Sequence, residues 1–105
     1  KTVAKTVLIE VYQLLKGIGA VNNESEFSKD WLGRSECYLR TCRFKHVEPS
    51  VSAIAICASK LQHYGKRMLS TTHNHTGERF LELSDKCHHF INQQAQCTWL
   101  DDVAA

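Results

Sequence analysis

Apolar residues recur along this chain at intervals of three and four, and that spacing predicts helices almost throughout. Val7, Leu8, Val11, Leu14, Leu15 and Ile18 share one stripe, so residues 3–17 read as an amphipathic helix, with Gly17 and Gly19 suited to end it. Asn22 and Asn23 are residue types that cap a helix start, and Phe27, Trp31 and Leu32 give a second helix over 24–32 its inward face, closed by Gly33. Ser35 is a candidate cap for a third helix over 35–44, in which Tyr38, Leu39 and Cys42 are the buried positions. Pro49 suits the first turn of a fourth helix over 50–62, because its missing N–H would find no partner there anyway. In that helix Val51, Ile54, Ala55, Cys57, Ala58 and Leu61 form a wide face rich in small residues, the expected spine of the core. "YGKRMLSTTHNHTGE" (64–78) is polar and carries glycine, and reads as a loop or linker. Helical spacing resumes through Phe80, Leu83, Cys87, Phe90, Ile91 and Gln94, with Trp99 and Leu100 extending the apolar surface of a C-terminal helix over 79–100. An acidic tail, 101–105, ends the chain.

Composition narrows the class. The 105 residues are 43% hydrophobic and 23% charged, ordinary for one folded domain, and a single proline with little two-residue alternation argues against a sandwich or barrel. The longest apolar run, "VSAIAIC" (51–57), is far too short for a membrane span, and Glu10 interrupts the apolar stretch that a secretory leader would need. Five cysteines form an odd set without framework spacing, and Cys42 and Cys57 fall where small apolar groups belong. Free thiols and a cytoplasmic location are the expectation.

The formal net charge of +2 hides an uneven distribution. Residues 1–33 balance four lysines against four acids, 34–72 carry seven basic residues against Glu36 and Glu48, and 73–105 carry two basic residues against five acids. The middle of the chain is therefore the expected footprint for a polyanion.

One helix that stops at Gly33 and another that starts within three residues make a helix-turn-helix plan, in which the second helix can project free of the body. The stretch "LGRSECYLRTCRFKHVEPSVSAIAICASKL" (32–61) resembles the phage-repressor (lambda repressor/Cro, XRE-type) helix-turn-helix family. The likeness lies in the Leu-Gly that closes helix 2, the serine that opens helix 3, Tyr38-Leu39 within it, and Pro49-Ser50 ahead of a helix with apolar Ile54, Cys57, Ala58 and Leu61. Helix 2 departs from the family pattern by one residue, since Phe27 lies six positions before Gly33.

That resemblance implies an all-α chain: a five-helix, repressor-like helix-turn-helix domain centred on 1–63, with an extra C-terminal helix. It also implies a bacterial or phage transcriptional regulator that binds double-stranded operator DNA through helix 3, commonly as a homodimer on a palindromic site. The base-reading positions map to Ser35, Glu36, Cys37, Arg40 and Thr41, with Arg34, Arg43, Lys45 and His46 beside them for phosphates. Arg40 is the candidate for bidentate contact to guanine. Glu36 and Cys37 fit DNA poorly, and with the acidic C-terminal third they favour an alternative: an adaptor or antiactivator of the same fold that binds and inhibits a transcription factor. The apolar stripe of 79–97 suits either a dimer face or packing on its own chain.

Other chemistry finds little support. "HNH" (73–75) and "CHH" (87–89) hold metal-ligand residue types without finger-like spacing, and His88 and His89 point to different helix faces. No phosphate loop, carboxylate dyad or thiol–base pair stands out, so neither a catalytic role nor a metal or cofactor is expected. Trp31 and Trp99 read as packing residues.

Overall fold

The computed structural model describes residues 4–104, which form five α-helices. Helix α1 spans Ala4–Gly17, α2 Glu24–Asp30, α3 Tyr38–Lys45, α4 Val51–Met68 and α5 Asn74–Ala104. No strand occurs among the described residues, and no helix there is long and apolar enough to cross a membrane.

The end of α1 and the start of α2 fall where local chemistry dictates. Helix α1 buries Val7, Leu8, Val11 and Leu15, while Ile18 stays exposed. Gly19 then turns left-handed (φ +81), so that its N–H reaches Lys16 O at 3.1 Å and the Ala20 N–H reaches Leu15 O at 2.8 Å, which satisfies two terminal carbonyls. Asn23 caps α2 by accepting from the Glu26 N–H at 2.9 Å, and the Glu26 carboxylate turns back to accept from the Asn22 N–H at 3.0 Å. Phe27, Trp31 and Leu32 carry this segment into the core, Trp31 edge-on to Phe80 with ring centroids 6.1 Å apart.

Three expected boundaries move. Helix α2 closes at Asp30, and α3 opens at Tyr38 instead of Ser35. Ser35 is spent on a preceding turn, where its carbonyl accepts from the Tyr38 N–H at 3.1 Å. Pro49 lies one residue ahead of the α4 cap; Ser50 holds that place and accepts from the Ala53 N–H.

Helices α4 and α5 form an antiparallel hairpin that is the spine of the molecule. Ala53, Ile54, Cys57, Ala58 and Leu61 of α4 are buried against Phe80, Leu83, Cys87 and Phe90 of α5, whereas Val51 and Ala55 face outward. Ser84, buried, donates its hydroxyl to Ala58 O at 2.8 Å. Near the hairpin turn the backbones approach so closely that a Cβ on Gly65 would lie 3.0 Å from Gly77 O. Where the sequence predicts a polar loop over 64–78, α4 therefore runs on to Met68 and α5 begins at Asn74, leaving only a short turn. The inward positions here are glycines, which contribute to helix contact by their lack of a side chain and so leave no apolar stripe to read. At the other end α5 continues through Asp101 and Asp102, so the expected acidic tail is helical as far as Ala104.

Candidate functional site

Helix α3 is short and buries two side chains, Leu39 and Cys42. Cys37 occupies its N-cap position but makes no side-chain cap. The cap comes from α2: the buried Ser28 Oγ accepts from the Leu39 N–H at 3.2 Å, across eleven positions of sequence. Ser28 O also accepts from the Arg34 N–H at 3.0 Å, so one serine ties down both sides of the α2–α3 turn. The far end of α3 closes at His46, which takes a left-handed conformation (φ 56) and lets Val47 N–H reach Cys42 O at 3.1 Å.

With Leu39 and Cys42 inward, the opposite stripe of this segment faces solvent: Cys37, Arg40, Thr41 and Phe44. Ser35, Glu36, Lys45 and His46 are exposed around it. The Arg40 guanidinium lies 3.2 Å from Cys37 Sγ. Phe44 is 84% exposed, which sequence spacing alone does not flag, because one aromatic on a helix is ordinarily assigned to a core.

Two of the expected phosphate contacts are held within the fold. Arg43 is half-buried and paired with Glu24 at 2.7 Å, an ion pair between α3 and the first turn of α2. Arg34 reaches the N-terminus of α4, where it donates to Ser50 Oγ at 2.9 Å and to Ser52 Oγ, with its guanidinium 5.7 Å from the Tyr38 ring centre. The Tyr38 hydroxyl accepts from the Ser50 N–H at 2.7 Å. A guanidinium, three hydroxyls and the positive end of an eighteen-residue helix thus converge beside α3. A cation at a helix N-terminus is electrostatically unfavourable alone, and the same donors are those that hold a phosphate oxygen. Sequence reading assigns Tyr38 to the core and Ser50 to the start of the fourth helix and does not single out Ser52; only their convergence in space reveals them as members of this site.

Across 24–48 five basic residues meet five acidic ones, so the two-helix unit is neutral although the chain around it is basic. Elsewhere, Glu10 on α1 accepts from Arg79 at 2.6 Å and from Lys86 at 3.3 Å on α5, and the Arg79 guanidinium holds its carboxyl below the usual range. Among the described residues no group of three or more His, Cys, Asp or Glu is arranged to hold a metal ion.

The chain belongs to the family of unknown function DUF6626, which it matches over residues 8–100. Neither a curated protein nor a solved structure matches it.

Proposed function

We propose that this protein is a transcriptional regulator that binds operator DNA with α3 in the major groove. The observation that carries this reading is the Arg34–Ser50–Ser52–Tyr38 cluster at the α4 N-terminus, a cradle for one backbone phosphate placed next to the outward stripe of α3. With that phosphate as anchor, Arg40 and Thr41 meet base edges, Phe44 meets a thymine methyl, and Lys45 and His46 lie toward the backbone. Arg43 is engaged with Glu24 and serves to brace α3. Few free cations surround the helix, so affinity rests on the cradle and on Arg40 more than on bulk charge.

A second reading has its own observation. An exposed phenyl ring beside Arg40, on a two-helix unit of zero net charge, also suits an adaptor that docks an apolar pocket with an acidic rim on a transcription factor.

Fluorescence anisotropy on duplex DNA over a salt series separates the two. For DNA, Arg40→Ala costs about 1–3 kcal/mol and relaxes preference at one base position. Arg34→Ala weakens all sequences alike and lowers the salt slope by about one. No binding even at low salt, from protein whose circular dichroism is unchanged, overturns the operator reading in favour of the adaptor.

A further inference from the structure

Among the described residues Phe90 is the last buried one of α5, and everything from Asn92 to Val103 is exposed. About three turns of helix, some 18 Å, therefore run past the start of α4 into solvent. A helix that stands alone in water is marginal unless charge pairs on its surface support it. This one has none: residues 87–100 contain no Asp, Glu, Lys or Arg, and the overhang instead exposes Trp99 (52%), Leu100 (44%) and Val103 (74%).

The body offers a place for that surface on the same helix. Between α1 and α5 lies an open groove of about 770 Å³, lined in part by Val7, Glu10, Lys86, His89, Phe90 and Gln93. Lys86, His89, Gln93, Gln96, Leu100 and Val103 follow one another at intervals of three, four, three, four and three, so groove and overhang share one stripe of α5. That series reads the same in both directions. Two copies laid antiparallel about its centre bring Gln93 opposite Gln96, His89 opposite Leu100, and the Lys86 stem opposite Val103, each pair occurring twice.

We propose that two copies of this chain form an antiparallel dimer through α5, with Leu100 and Val103 of each copy seated in the α1–α5 groove of the other. Like copies meet without repulsion because the stripe is uncharged near the axis, and the paired glutamines there can exchange amide hydrogen bonds. Contact between the overhangs alone would be about 18 Å long. Seating each in the opposite groove lengthens it to about 27 Å and adds α1, toward the roughly 800 Å² per partner of a stable interface. The dimer is independent of what α3 binds.

Sedimentation equilibrium on the intact chain tests this, from micromolar to about 0.5 mM. The expected mass is that of two chains for the parent and of one chain for Leu100→Glu, whose site lies outside the buried core. Gln93→Glu, within the groove, weakens association at least about tenfold, since it places a charge at the centre of the contact. A parent that stays monomeric throughout overturns the proposal. So does a Leu100→Glu variant that still dimerises, and an unaffected Gln93→Glu overturns the groove seating.

Discussion

Ser28→Ala is the substitution that most directly tests how α3 is held. Ser28 is fully buried, and its Oγ is the acceptor recorded for the Leu39 N–H, which lies in the first turn of α3 and so has no partner within its own helix. Alanine keeps nearly the same volume, so no cavity of consequence forms and the change isolates the hydrogen bond. An orphaned buried donor costs about 1–3 kcal/mol, and loss of an N-cap about 0.5–2 kcal/mol. The overlap gives about 1.5 kcal/mol. With a urea slope of about 1.5 kcal/mol/M, the unfolding midpoint falls by about 1 M with the slope unchanged. Hydrogen exchange adds the location: the Leu39 amide loses protection first, while α4 and α5 amides lose only what the global change requires. A midpoint within about 0.3 M of the parent, or a Leu39 amide as protected as before, would refute the idea that α2 supplies the cap of α3.

Gly77→Ala should lower the melting temperature despite alanine's better helix propensity. Its Cβ would lie 2.8 Å from Gly65 O, a backbone atom that cannot rotate away, so about 1–3 kcal/mol of overpacking offsets about 1 kcal/mol of propensity; a melting temperature at or above the parent's would contradict the close crossing. An aromatic disulfide reagent should titrate Cys37 and Cys97 quickly in the native protein and Cys42, Cys57 and Cys87 only on unfolding. The hydrogen bond with Cys87 and burial push the Cys57 thiol well up, so a third fast thiol would count against the assigned core. Glu10→Gln should destabilise at neutral pH by removing the anion that Arg79 and Lys86 share. Because folding lowers the Glu10 pKa below 4.5, its contribution is full above that value and fades as pH falls through the folded one; a parent–variant gap that persists at pH 2 would assign the loss to something other than charge.

Short-range rules made much of the architecture legible. Most residues of the stripes that predict α1 and the middle of α4 and α5 are found buried, Ile18 and Ala55 being exceptions, because helical period links positions a few residues apart and needs no knowledge of the rest of the chain. Asn23 as a cap and Gly19 as a terminator follow for the same reason, their partners lying within a few positions. Those rules failed where burial is achieved without apolar side chains. Gly65 and Gly77 pack by backbone contact, and a pattern that counts hydrophobic groups reads them as loop.

The sequence by itself determined that this protein is helical and roughly where its five helices lie, with Leu39 and Cys42 on the inward side of the third. Tertiary structure alone decided the chemistry of the rest. Leu39 finds its cap eleven residues away, Arg34 its serines sixteen and eighteen away, and Arg43 its carboxylate nineteen away. Each of those pairings withdraws or redirects a group that local reading leaves free. The same holds for the end of α5, whose stripe is continuous in sequence from Phe80 to Ile91 but loses its cover where α4 begins. A side chain's type fixes what it can bind, while the groups that converge on it from distant segments fix what it does bind.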